Sequence, residues 1–260
     1  MYLNAFIFLI LCLSNIGAAL SVDVNEIIES IPPNDRCDLE GLFYNLVDDE
    51  AFGYTLFGDK PVSFGGYFKV TPWENYIELG ECDGLFWKKW EIWEKYKNQF
   101  DIHNFLLLKE AASPLNDRVI LINKNALIKT IENNLETFES ILREKIDPAQ
   151  FVSKIENGQI SFFDSIQNNE MLLGICLDYG KRNARLFCQR GKIFKEDSMK
   201  PCGDYKRSLL RIQSIYFMAD HDHAETQYLK EKYGRLRGIV SAIYAKGNFL
   251  QTTLSKLTAE

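Results

Sequence analysis

One pair of β-favouring runs constrains this chain most. Residues 105–109 (FLLLK) and 118–122 (RVILI) are rich in leucine, isoleucine and valine and are separated by Ser113, Pro114, Asn116 and Asp117. Turn formers between two such runs predict an antiparallel hairpin, here with a loop longer than two residues. The flanking patterns are helical, so the strands form a short meander. Strands that do not alternate regularly with helices lack the βαβ pattern of a doubly wound sheet. The expected fold class is therefore α+β: a mostly helical single domain with a small antiparallel sheet of about 3–4 strands.

Helical periodicity is clearest in four places. Leu42, Phe43, Leu46 and Val47 follow a short helix over residues 24–31 that Pro32 and Pro33 close. Leu85, Phe86, Trp90, Trp93, Tyr96 and Phe100 recur at three- and four-residue spacing within residues 82–100, which predicts a core-facing stripe. A long helix is expected over residues 126–146, then shorter ones from Pro148 and over residues 160–166. The final block, residues 224–257, reads as helix weakened at Gly234, Gly238 and Gly247. Residues 52–70 carry four glycines and a GDKP turn among aromatics, so they read as a turn-rich strand region. One more strand is expected over residues 212–218, after a loop over residues 192–204.

The first 22 residues carry no charged side chain, and residues 5–13 are almost wholly apolar. Gly17, Ala18 and Ala19 supply a small-x-small cleavage pattern, so residues 1–21 read as a signal peptide preceding one α+β domain over residues 22–260. The n-region lacks Lys and Arg, and an uncleaved membrane anchor is the alternative. The expected address is export, to a periplasm, envelope or medium. Of the six cysteines, Cys12 lies in the leader. The five that remain, Cys37, Cys82, Cys176, Cys188 and Cys202, are odd in number and show no metal spacing.

The formal net charge of −6 is unevenly spread. Residues 22–60 hold ten acids against Arg36 and Lys60, a net −8, while residues 181–211 hold ten bases against three acids, a net +7. Overall acidity argues against nucleic acid as partner. The basic segment suits an envelope protein, an anionic lipid or another anionic ligand, or pairs with the acidic segment of the same chain.

The sharpest change of chemistry is MLLGICLDYGKRNARLFCQR, residues 171–190, where a buried-type helix meets a basic surface around Gly180. Lys181, Arg182, Asn183 and Arg185 are the candidate anion or partner surface. The run from Gly174 to Lys181 is not a phosphate loop: five residues separate Gly174 from the Gly-Lys pair, and Arg182 stands where Ser or Thr would hold magnesium. Asp220, His221, Asp222 and His223 are the candidate metal ligands, the alternative being a solvated cap of the last helix. There is no GxSxG, and Ser63 lies in PVSFGG without an elbow pattern. No cofactor is expected. The functional expectation is a non-enzymatic binding or interaction module, the alternative a metal-assisted hydrolase using the Asp220 to His223 cluster.

GYTLFGDKPVSF (residues 53–64), LINK (residues 121–124) and LLGICLDYGKRNARLF (residues 172–187), met in that order, resemble a family of uncharacterised, mostly exported proteins of chlamydia-type intracellular bacteria. The resemblance runs from about Cys37 to the C-terminal helix and implies an exported address without a known activity or cofactor. The resemblance implies a glycine at the position where Asp178 stands in this chain.

Overall fold

The computed structural model describes residues 23–69, 77–189, 200–202, 212 and 214–259. The expected leader lies outside them. Three helices open the described chain: α1 (Val24–Ser30), α2 (Pro33–Asp49) and α3 (Phe52–Phe57). Strand β1 (Val62–Phe68) follows, then α4 (Ile77–Tyr96) and the hairpin β2 (Phe105–Ser113) and β3 (Asn116–Asn123). Five helices come next: α5 (Lys124–Asn133), α6 (Leu135–Leu142), α7 (Pro148–Glu156), α8 (Phe162–Ser165) and α9 (Glu170–Cys176). After α10 (Lys181–Gln189), a short ladder joins β4 (Lys200–Cys202) to β5 (Phe217–Ala219), and α11 (Ala224–Tyr244) and α12 (Phe249–Thr258) finish the fold. The architecture is α+β, mostly helical, with a three-stranded antiparallel sheet in the order β1-β3-β2.

The central strand sets the layering. Val119 and Leu121 of β3 face one apolar cluster, and Ile120 and Ile122 face another; all four are at most 2% exposed. A strand covered on both faces reads as the continuous apolar run seen in the sequence. The first cluster gathers α1 to α4 with α11 and α12, through Leu39, Leu46, Trp93, Val240 and Leu254. The second gathers the helices from α5 to α10, through Leu127, Ile131, Phe138, Phe162 and Leu172. Along α2 the buried Leu39, Leu42, Phe43, Leu46 and Val47 keep the three- and four-residue spacing that puts one helix face on the core.

Several local expectations change. Residues 52–57 are helical where turns and strand were expected, because Gly53 within them and Gly58 just after them serve packing. A Cβ on Gly53 would lie 2.9 Å from Val240 Cγ1, and one on Gly58 would collide with Leu236. The long helix expected over residues 126–146 is two: Asn134 caps the first turn boundary with its side chain on the Thr130 carbonyl (2.9 Å), and Arg143 ends α6 in the left-handed region at φ 59°. The hairpin loop is shorter than expected, only Pro114 and Leu115, with an irregular register between Ala111 and Ser113 that absorbs the extra residue. Of residues 212–218 only 217 and 218 are in a strand among the described residues, and Lys200–Cys202, expected as loop, is its partner. Gly247, at φ 86°, separates α11 from α12.

Of residues 171–190, the described ones, 171–189, form two helices rather than one interrupted helix. Leu177 caps α9, Asp178 and Gly180 take positive φ (58° and 86°), and the chain re-enters helix at Lys181. The two helices then pack closely. A Cβ on Gly174 would sit 2.8 Å from the Ala184 Cβ. Gly174→Ala gains about 0.5–1 kcal/mol of helix propensity, but overpacking costs roughly 1–3 kcal/mol. The expected outcome is net destabilisation in urea titration, with Ala184→Gly, itself destabilising, restoring part of the loss in the double variant. Additive single effects would show that these helices do not touch at this point.

Candidate functional site

The candidate residues from two separate stretches of sequence meet where the N-termini of α10 and α11 converge. The Glu225 carboxylate, in the first turn of α11, accepts from the backbone N–H groups of Lys181 (3.0 Å) and Arg182 (3.1 Å). It therefore caps α10 from outside the helix and meets the positive end of its dipole. Gly180 makes this approach feasible twice over. Its φ of 86° is open to glycine, and a Cβ there would lie 2.6 Å from the Glu225 carboxyl carbon.

Asn183 is the buried centre of this joint, 1% exposed. Its Nδ2 donates to the Tyr179 carbonyl at 2.9 Å and stands 3.0 Å from the Thr226 hydroxyl, itself fully buried. Its Oδ1 accepts from the backbone N–H of Asp220 at 3.0 Å. One side chain thus ties α10, α11 and the end of β5 together, and the amide has both donor and acceptor atoms employed. The Arg182 guanidinium grips Asp220 Oδ2 through Nε (3.0 Å) and Nη2 (2.8 Å), and this hydrogen bonding holds the Asp220 carboxyl below its ordinary value.

His223 is the N-cap of α11, its Nδ1 accepting from the Glu225 N–H at 3.2 Å. Asp222 is exposed, and Gln227 donates to the His221 carbonyl. Among the described residues no three His, Cys, Asp or Glu side chains converge as a metal ligand set. Lys181, Arg182 and Arg185 stand on the outer face of α10, and Asn183 and Ala184 on the inner one. Of the expected residues, then, Arg182 and Asn183 meet Asp220, Lys181 meets Glu225 through its backbone, and Arg185 points away from the joint.

A second polar cluster adjoins the first and was not read from the sequence. Asp178 accepts from the Lys232 ammonium (2.6 Å) and the Tyr233 hydroxyl (2.6 Å), and Lys232 also pairs with Asp59 at 2.9 Å. Lys60, from the GDKP turn, is 1% exposed and donates to the Leu177 carbonyl at 2.8 Å and to that of Val62. Burial pushes its amine down to about 7, against the opposing pull of Asp178. The same burial raises the Cys176 thiol to about 12, which makes it a poor nucleophile. The available signals were slight: a lysine in a turn is normally solvated, and Asp178 in place of glycine marked only a departure. At φ 58° that position is one that glycine adopts freely and aspartate tolerates.

Away from both clusters, a surface groove of about 490 Å³ runs between α1, α2 and the start of α12, lined by Asn25, Glu29, Arg36, Cys37, Asn248 and Phe249. Cys37 and Cys188 are exposed cysteines and Cys176 a buried one, none of them in a disulfide. Among the described residues no helix is long and apolar enough to cross a membrane.

No family model matches the chain, and no solved structure matches it. It is 26% identical over 200 residues to a dynein heavy chain-like protein 2 from Plasmodium falciparum, a stretch covering 62% of this chain and 3% of that protein. It is 29% identical over 105 residues to the MICOS complex subunit MIC60 of Komagataella phaffii, covering 36% of this chain and 21% of that subunit. The chain thus spans a small part of either relative's length.

The joint predicts an asymmetry between its buried and exposed members. Asn183→Ala strands the Asp220 N–H and deprives the Tyr179 carbonyl and the Thr226 hydroxyl of a partner, at roughly 1–3 kcal/mol for each buried group left unsatisfied. Arg182→Ala breaks a solvent-screened ion pair and costs clearly less. Chemical denaturation of the two variants measures this directly, and an equal loss would contradict the central place given to Asn183.

Proposed function

We propose that the chain is a non-enzymatic binding module of an exported or envelope-associated protein, and that it docks the cationic outer face of α10 against an anionic surface. The observation that carries this reading is the division of α10. The helix spends Asn183 and its N-terminal amides on holding the fold, and leaves Lys181, Arg182 and Arg185 exposed in a row. Neither Lys181 nor Arg185 has an ion-pair partner among the described residues. Their surroundings favour contact with anions over chemistry, since Asp220, His223 and Glu225 are engaged by Arg182 and by backbone N–H groups.

The charge pattern of the sequence supports the same reading. A net +7 over residues 181–211 stands out on a chain of net −6, and within the described residues its exposed members Lys181, Arg182 and Arg185 lie on α10. The leader pattern and the resemblance to exported bacterial proteins support an envelope address, where anionic phospholipid is at hand.

Cosedimentation with vesicles tests the proposal. The chain is expected to bind phosphatidylglycerol-containing vesicles at low ionic strength, to release them as salt is raised, and to ignore pure phosphatidylcholine. Each cation near such a surface contributes about 1 kcal/mol, so reversing Lys181 and Arg185 to glutamate should weaken binding by tenfold or more. Retention of full binding by the charge-reversed variant, or none by the original chain at low salt, would remove the reading.

A further inference from the structure

Lys60 is the only basic residue among the described ones that is buried, and it lies where the two halves of the structure meet. Its side-chain nitrogen reaches the carbonyl of Val62 at the head of β1 and the carbonyl of Leu177 at the C-cap of α9. One nitrogen thereby fastens the sheet to the turn between α9 and α10. The turn itself is short and wound through two left-handed residues, Asp178 and Gly180. Between them Tyr179 stacks on Phe217 with ring centroids 4.8 Å apart, its ring 5.6 Å from the Lys60 ammonium.

The charges around this contact do not balance locally. Facing Lys60 are Cys176 from α9, Asp178 from the turn, and Lys232 from α11, with Tyr233 and Asp59 joined to the same group. Asp59 is 71% exposed, so water screens it, while Lys232 is 15% and Asp178 25% exposed. The sheltered carboxylate of Asp178 therefore faces two lysine nitrogens. It bonds directly to Lys232, at 2.6 Å, and Lys60 receives only its more distant attraction.

We propose that the Lys60 joint is an acid-sensitive latch, which holds the α9–α10 turn on the head of β1 when the amine is neutral and releases it when the amine is protonated. A neutral amine keeps two N–H donors, enough for both carbonyls, and places no charge in the core. A protonated one gains most by opening to water. The amine is pushed from 10.5 down to about 7 in the closed form, so over that interval the closed form binds fewer protons than an opened one, in which Lys60 is hydrated. Acidification through the interval favours opening; below about 7 both forms are protonated and the preference levels off. Release of the turn loosens the anchor of α10, so the presentation of its basic face varies with pH. The latch itself stands whether or not that face binds an anionic surface.

Amide hydrogen exchange of the intact chain, corrected for the intrinsic pH dependence of exchange, tests this. Between about pH 9 and about pH 7 the opened population of residues 177–182 should rise by up to about tenfold per unit, then level off. Amides of α5 and α6 should stay protected meanwhile. Lys60→Met should abolish the dependence. Asp178→Asn, which keeps a residue tolerant of the left-handed backbone, should move the levelling to lower pH by withdrawing the counter-charge. A flat corrected profile in the original chain, or exchange of α5 and α6 in step with the turn, overturns the latch. So does an unchanged slope in Lys60→Met, or, should that variant fail to fold, unshifted levelling in Asp178→Asn.

Discussion

Burial of β3 on both faces is the constraint on which the rest of the structure depends. A strand whose successive residues enter two different apolar clusters needs a helical layer on each side, and the chain supplies them from different parts of its length. Helices from the two ends of the described chain cover one face; those between residues 124 and 189 cover the other. Leu121 and Ile122 are neighbours in sequence but belong to separate clusters, which makes the strand the common wall of both. Burying four such side chains contributes about 1.5–3 kcal/mol each, comparable in sum with the whole net stability of an ordinary domain.

The wall leaves a problem at its rim, where the two layers meet and must still be held in register. The polar groups between β1, α9, α10 and α11 do this. Asn183 ties three segments by hydrogen bonds, and Glu225 caps α10 through two backbone N–H groups. Asp178 uses charge, pairing with Lys232, and Lys60 uses a buried amine whose hydrogen bonds to two carbonyls respond to protons. The two clusters adjoin through Tyr179, whose carbonyl serves Asn183 and whose ring packs against both apolar clusters.

How much of this was legible in the sequence follows from what each residue does. The α+β class was readable because RVILI and FLLLK carry no competing pattern, and because α2 and α4 keep their apolar spacing along one face. Residues 52–57 misread because glycine signals both turns and close packing, and only the arrival of Val240 and Leu236, far along the chain, decides for packing. The run Asp220 to His223 was visible as a cluster, but its contacts with Arg182 and Asn183 were not, since those two side chains reach it only through the fold. Lys60 was hidden altogether. A GDKP turn places its lysine in water unless something covers it, and the cover here is a helix end 117 residues later.

The layering also orders events during synthesis. All the side chains of the second cluster lie between Val62 and Ala184, so its parts are complete once that length has emerged. The first cluster begins at Ile27 but still needs Leu229, Val240 and Leu254. Until the last two helices leave the ribosome, α2 and α3 lack the neighbours that α11 and α12 supply, and the nascent chain carries one finished apolar cluster beside one incomplete one. A chain built this way depends for its solubility on the interval between those two moments.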